Sequence, residues 1–499
     1  MKRVTWRATA LLTVLMMVMT ACGDGGGGDT TTSGADDAAG TTAAGTETSA
    51  EGGTETTAAG GTETTGAAAE GEEVHLTIGA NAVVGGTNTI EAEWYINYVI
   101  PTFEEMMAEE GRNVTVEHIE GGVDDYKTQL ALDLSVGEGP DISSFDQFWT
   151  AEFAAAGLLQ PLNELVGPQV EEWEGWEQIP DAVAGSLEVD DVRYGVPVGT
   201  DGRVIFFRKD LFEQAGLPTD WQPTSWEEIL EAARTIQTEL PDVVPMQLNA
   251  GVNMEEATTL QGFVPILLGA GGDIYADGAW QGDTPQLRET LEFYSTVYSE
   301  DLGDTDMQLL TDGRDQSFQM FAEGELAILL ESDYLWRGVI SPDANFPVEN
   351  REEVVGWALI PAREPGAGIR GQDFVSASGG TGRVINPATE HPEVAWELME
   401  FMGSEEAQLN FVEVEPRITA RTDVNETGIA DDPMLTFVAE EVLPITWYRP
   451  GFEEYPQVSE AITFMVENVV AERSSVEEAA QEFQSTLEGI VGAENVASG

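Results

Sequence analysis

Side chains that could carry covalent chemistry are scarce in this 499-residue chain. Histidine occurs only at His75, His118 and His391, and cysteine only at Cys22. There is no His-Glu-x-x-His pair, no Cys-x-x-Cys pair and no Gly-x-Ser-x-Gly elbow, and no lysine follows a glycine-rich loop. Zinc hydrolysis, thiol chemistry, a serine nucleophile and P-loop nucleotide binding therefore lack their usual carriers. No metal ligands are assigned and no cofactor is expected. Acids number 91, and a glycoside hydrolase needs only two carboxylates at the right separation, so that alternative stays open. The well-supplied chemistry is non-covalent: carboxylates, arginines and amides that hydrogen-bond, beside 12 Trp and 10 Tyr whose rings offer flat apolar faces.

The charge balance narrows the partners. A formal charge of −70 repels nucleic acid and anionic lipid, so no nucleic-acid partner is expected. The acids are spread along the whole chain, which favours a solvated acidic surface over one acidic cleft for cationic ligands. Lysine occurs only at positions 2, 127 and 209, and we expect a protein adapted to high salt. With a single cysteine no internal disulfide can form. Cys22 instead directly follows an expected secretory signal: Lys2, Arg3 and Arg7, an apolar run from Ala8 to Met19, then Thr20-Ala21. From Gly23 to Glu73 there is no Val, Ile, Leu, Met or aromatic residue, so this segment cannot bury enough surface to fold. As a flexible coil it would reach roughly 40 Å.

Positioning elements begin at Val74. Val74 to Ile78 alternates like a strand, Trp94 to Glu110 has helical character interrupted by Pro101, and Val114 to Ile119 is a second strand. A helix over Tyr126 to Ser135 and a strand opening at Asp141-Ile142 complete an alternation that predicts a parallel α/β sheet. The passage from Val192 reads as a strand stopping at a Tyr194-Gly195-Val196-Pro197 turn. A polar crossing follows from Gly199 to Gly202, then an apolar strand from Val204 to Phe207 and a helix. Such a crossing can serve as a hinge. Ser225-Trp226-Glu227-Glu228 fits a capping box, with Ile229, Ala232, Ala233 and Ile236 on one helical face. Leu287 to Val297 reads as an amphipathic helix, and Phe374 to Ile385, with Gly379, Gly380 and Gly382, as a second crossing.

Several of these stretches resemble family 1 extracellular solute-binding proteins, the capturing components of ABC importers. Tyr194-Gly195-Val196-Pro197, Phe206-Phe207-Arg208-Lys209-Asp210-Leu211-Phe212, Ala215-Gly216-Leu217-Pro218 and Ser225-Trp226-Glu227-Glu228 are similar to that family's YGVP, YYNKDLF, AGL-P and TWDEL passages. Leu132 to Ile142, Phe153 to Leu165, Gln261 to Tyr275, Phe321 to Trp336, Val355 to Pro361 and His391 to Gln408 resemble further family segments in the same order. Ser332 stands where the family usually has Gly, and Tyr334 where it often has Trp. Met19-Thr20-Ala21-Cys22 resembles a lipobox with Met in place of Leu.

The resemblance implies an α/β, two-lobed periplasmic-binding-protein-like (type II) fold, each lobe a sheet flanked by helices and joined by hinge crossings. Residues 1–21 would be the signal peptide and 22–73 a tether lipidated at Cys22. Residues 74–200 with 376–430 would form lobe I, and 201–375 with 431–499 lobe II. It implies a non-enzymatic monomer that captures a small carbohydrate, hands it to ABC permease subunits, and is held to the outer face of the membrane by its lipid anchor. A sugar offers hydroxyls at its rim and C–H groups on its faces, so polar groups and aromatic plates should surround it. The loops placed around the crevice supply Asp146, Asp201, Arg203, Glu331, Arg417 and Arg449, with Trp149, Tyr334, Trp336, Trp447 and Tyr448 as plates. A polyamine or cationic-solute binder of the same fold is the alternative.

Overall fold

Two sheets are threaded by one chain that crosses between them at the stretches rich in glycine. The computed structural model describes residues 73–84, 88–121, 126–342 and 344–497. The expected signal, Cys22 and all of the expected tether except Glu73 lie outside the described residues. The first sheet begins with β1 (Glu73–Ala80), β2 (Asn113–Glu120) and β3 (Ile142–Asp146). Val74, Leu76 and Ile78 alternate inward on β1, as do Val114 and Val116 on β2, because a sheet residue faces the opposite side from its neighbour. β1 pairs parallel with both β2 and β3.

The sheet is nevertheless mixed, which corrects the all-parallel expectation. Its order is β2-β1-β3-β11-β4, where β4 is Gly195–Thr200 and β11 is Gly380–Ile385. β11 runs antiparallel to both neighbours, because it returns from the second sheet through a crossing rather than through a helix. The expected turn at Tyr194-Gly195-Val196-Pro197 is also corrected, since Gly195, Val196 and Pro197 lie within β4. Proline is tolerated there because β4 is the sheet's edge, where a missing N–H leaves few ladder bonds unmade, and the register slips beside it.

β5 (Arg203–Arg208) follows after only Asp201 and Gly202 and lies in the second sheet. That sheet has the order β8-β5-β7-β6, with β6 Val244–Gln247, β7 Leu326–Ser332 and β8 Val355–Ala358. Every residue of β5 and β7 is buried, which explains their near-continuous apolar runs. A small third sheet, β9 (Ile360–Pro361), β10 (Phe374–Ser378) and β12 (Thr446–Tyr448), leads back to the first through Gly379.

Helices cover both sheets. Pro101 does not break the first of them: Thr89–Trp94, the wide turn Tyr95–Val99 and Ile100–Glu109 run on without a gap. The wide turn absorbs the place where the ring cannot donate. Helix Trp226–Glu239 buries Ile229, Ala232, Ala233 and Ile236 as expected, and Ser225 caps it through the Glu228 N–H. The reciprocal arm differs, because the Glu228 carboxylate accepts from the Thr224 N–H at 2.6 Å. Val74, Ile142, Trp396 and Phe411 belong to a cluster on the first sheet, and Phe207, Phe263, Tyr294 and Phe483 to a larger one on the second. Val412, Ile418, Val424 and Ile429, expected in lobe I, pack in a third cluster with Val204 and Phe206 of the second sheet. No helix among the described residues is long and apolar enough to cross a membrane.

Candidate functional site

The carboxyl ends of strands from both sheets converge on one cleft, the place where open α/β sheets hold ligands. An inner chamber of about 490 Å³ is lined by Asp146 at the end of β3 and Phe148 just beyond it, Asp201 in the first crossing and Arg203 at the start of β5, and Ser332 at the end of β7 and Tyr334 just beyond it. Glu255, Glu256, Gln261, Arg314, Arg337, Arg417 and Arg449 complete its polar wall. An outer chamber of about 640 Å³ shares Asn81, Phe148, Trp149, Glu255 and Glu256 with it, so the two form one groove.

The crossings beside the inner chamber are held by polar groups. The Gly379 N–H donates to Asp201 Oδ1 at 2.7 Å, and the Thr200 and Ser378 hydroxyls lie 2.8 Å apart. Ser378 Oγ also donates to the Asp201 carbonyl. A Cβ on Gly379 would stand 3.2 to 3.3 Å from the side-chain ends of Arg203, Arg449 and Asp201, so a larger residue there would press on the charged groups of the wall. Asp333, fully buried, grips the first crossing from below: its Oδ1 accepts the Gly202 N–H at 2.9 Å and its own N–H donates to Gly202 O at 3.0 Å.

Guanidinium groups tie this wall together. Arg449 Nη2 lies 3.1 Å from Asp146 Oδ1 and its Nη1 lies 3.2 Å from Glu256 Oε1, so one side chain joins a carboxylate at the first sheet to one packed with the second. Its guanidinium sits 4.6 Å above the Phe148 ring. Burial works against its charge, but Asp146 and Glu256 outweigh that and hold its pKa above the ordinary value. Arg203 donates to Asp201 and to Gln261 Oε1. Arg337 spans Asp333 at 3.1 Å and Glu415 at 2.9 Å. Burial raises the Asp201 carboxyl, yet Arg203, the Gly379 N–H, Arg337 and Arg449 together bring it below the usual carboxylate value. For Asp146 and Asp333 burial wins and the pKa is raised. Among the described residues no group of three or more His, Cys, Asp or Glu is placed to hold a metal ion.

Residues 86–409 match the model of the bacterial extracellular solute-binding protein family. The chain belongs to that family. A binding protein of Brucella abortus is 23% identical over 344 residues, 68% of this chain and 77% of its own length. A solute-binding protein of Thermotoga lettingae, solved with α-D-tagatose, superposes with a TM-score of 0.70 at 26% identity, covering 84% of this chain and all of the other. Maltose-bound MalE3 of T. maritima superposes with a TM-score of 0.68 at 20% identity over the same shares. The fold of this solute-binding protein is the two-lobed periplasmic-binding-protein fold.

Of the eleven residues expected around the ligand, Asp146, Trp149, Asp201, Arg203, Tyr334, Arg417 and Arg449 line the inner chamber. The other four line neither chamber. Glu331 is fully buried one layer back, where its oxygens take Arg314 at 2.8 and 3.1 Å and Asn249 at 3.2 Å, so it presents Arg314 rather than itself. The wide turn Leu335–Val339 carries Trp336 into the apolar core, where its N–H donates to Asp432 at 2.9 Å and Arg351 covers its face at 4.1 Å. Trp447 donates to Asp273 at 3.1 Å and packs on the large cluster. Tyr448 packs beside Ile179 and Val183, and burial raises its hydroxyl pKa.

Lining residues that the sequence does not single out include Phe148, Glu255, Glu256, Gln261, Arg314 and Arg337. Of the two phenylalanines in this loop, Phe145 is buried in the core and Phe148 lines the chamber. Arg337 had a signal, since it stands four residues after Asp333 at the start of a helical turn. Glu255 and Glu256 follow the carboxyl end of β6, a position that strand order points to. Arg314 had none, because its partner Glu331 is distant in sequence.

Proposed function

We propose that this protein captures a small carbohydrate between its two lobes and releases it unaltered to the permease of an ABC importer. One observation carries the reading: the cleft offers aromatic faces in Phe148, Trp149 and Tyr334 beside a polar wall whose charges are largely matched internally. Matched charges keep their hydrogen-bonding capacity toward hydroxyls while presenting little net field, which suits a neutral polyhydroxylated solute. Hinge motion needs only that the closed state bind better than the open one, and the two short crossings supply the axis. Asp146, Trp149, Asp201, Arg203, Tyr334, Arg417 and Arg449 are the proposed contacts. Cys22 is the proposed lipid attachment, which would keep the protein at the outer face of the cell membrane, working as a monomer.

A polyamine binder would need a row of free carboxylates, whereas Asp146, Asp201 and Glu256 are each engaged by an arginine. Thermal-shift and calorimetric titration with tagatose, mannitol, maltose and mannotriose, with spermidine as control, tests the proposal. Saturable binding of a sugar or polyol, with the ligand recovered chemically unchanged, is expected. Binding of spermidine alone, or release of a hydrolysed product, would overturn it.

A further inference from the structure

Four carboxylates line the inner chamber, and their partners divide them sharply. Asp146 has Arg449 and the Phe148 N–H, Asp201 has Arg203 and the Gly379 N–H, and Glu256 has Arg449, the Tyr455 hydroxyl at 2.7 Å and the Ser459 hydroxyl at 2.5 Å. The Glu255 carboxylate makes no hydrogen bond or ion pair among the described residues. It lines both chambers, at the point where they join.

Its backbone is the second observation. Glu255 has φ 48° and ψ −128°, a combination at home at the first central position of a type II′ turn, where glycine dominates. Seven other described non-glycine residues have positive φ: Asn88, Asp190, Asp191, Asp277 and Asp301 are of the types that tolerate it, Arg370 and Glu472 are not, and of the eight only Glu255 lines the cleft. The surrounding loop fixes the conformation. The Glu255 N–H donates to Val252 O at 3.0 Å, its carbonyl accepts the Thr258 N–H at 3.0 Å, and the Thr258 hydroxyl holds Gly251 O at 2.6 Å. Glu467 anchors the loop's start through the Val252 N–H at 2.7 Å. At Glu255 a side chain stands where glycine would be easier, and its exposed, unpaired carboxylate is left free at the point where the two chambers join.

We propose that Glu255 is a specificity-determining ligand contact, its carboxylate accepting hydrogen bonds from hydroxyls of a carbohydrate or polyol that reaches the junction of the two chambers. This rests on the carbohydrate reading above. A charged acceptor gripping a neutral hydroxyl makes the stronger class of hydrogen bond, and the neutral amide of Gln cannot match it.

Glu255→Gly and Glu255→Gln separate this role from a structural one. In the ligand-free protein Glu255→Gly should raise Tm, because the strain is relieved, while Glu255→Gln leaves it unchanged. Calorimetry with tagatose, mannitol, maltose and mannotriose should show both variants binding at least about tenfold more weakly than the full-length wild type, with Glu255→Asp recovering part of the loss. A wild type that binds a panel member together with variants that bind it equally would overturn this inference alone. A wild type that binds none of the panel would overturn the carbohydrate reading and this one with it.

Discussion

Two arginines make similar contacts in very different surroundings. Arg234, on helix Trp226–Glu239, holds Glu300 through two bonds of 2.8 and 3.1 Å and Glu227 through a third of 3.0 Å. Arg449 reaches its two carboxylates only at 3.1 and 3.2 Å. By distance the surface cluster is the better one. Exposure reverses the order: the Arg234 side chain is 37% exposed with partners at 42% and 63%, whereas that of Arg449 is 5% exposed with Asp146 at 33% and Glu256 at 20%. Water can replace any partner that Arg234 loses, and it can do so only in part for the half-buried carboxylates around Arg449. Surroundings, more than geometry, therefore decide what a charge pair contributes here.

The sharpest way to break this comparison is Arg449→Ala. It leaves Asp146 and Glu256 facing each other without a cation; removal of one partner from a fully buried pair typically costs ~3–5 kcal/mol, and the partial exposure of both acids lowers the expected loss to about 2–3 kcal/mol. Denaturant unfolding should show a loss of that order in the variant. Adding Asp146→Asn and Glu256→Gln to Arg449→Ala should recover much of it, since no orphaned charge then remains. A single variant as stable as wild type would show that water reaches these carboxylates freely.

Acid sharpens the same contrast inside the cleft. The Asp201 carboxyl is held below its ordinary value of 3.8, so its contribution to stability is fully present above that pH and fades as pH falls through the lowered value. Asp333 has the opposite sign, because burial raises its pKa and its proton is bound more tightly by the folded state. The stability gap between wild type and Asp201→Asn should therefore be widest above pH 4 and narrow below about pH 3.8. Chemical denaturation at stepped pH values measures it. A gap that stays constant down to pH 2 would mean that Asp201 gains nothing from Arg203 and Gly379.

Much of the fold was legible because local chemistry and global packing agree. The alternation in Val74 to Ile78, the capping serine at Ser225 and the glycines at both crossings each specify a conformation that the surroundings then use. The direction of β11 was not legible, because Gly380 to Ile385 presents the same residues to its neighbours whichever way it runs. Pro197 misled for a related reason: proline argues against a central strand, and the sequence does not say that β4 is an edge. The candidate site was half legible. Loop positions found Asp146, Asp201 and Arg449, but the difference between lining a cleft and standing one layer behind it turns on a single residue of phase. That is how Tyr334 came to the surface of the chamber while Trp336, two residues on, went into the core.

Salt acts on the outer surface far more than on the cleft. With 91 acids against 21 Lys and Arg, the exposed carboxylates repel one another over distances that screening shortens to about 10 Å at 0.1 M salt. Raising sodium chloride from dilute buffer to molar concentration should raise Tm, and should do so by a similar amount in wild type and in the Arg449→Ala variant, whose half-buried acids are two among many. A Tm that falls over this range would count against an adaptation to high salt.

The smallest effect is expected at the better-formed cluster. Arg234→Ala removes three hydrogen bonds to Glu227 and Glu300, yet both acids are open to water and lose only a partner they can replace, so the cost should stay below about 1 kcal/mol. What remains of the effect should shrink further in molar salt, because the pairs are screened. Denaturant unfolding of this variant at low and high salt, beside Arg449→Ala under the same conditions, measures both sides of the comparison at once. If Arg234→Ala proved as costly as Arg449→Ala, bond length rather than exposure would be the governing variable, and the division drawn between cleft and surface would not hold.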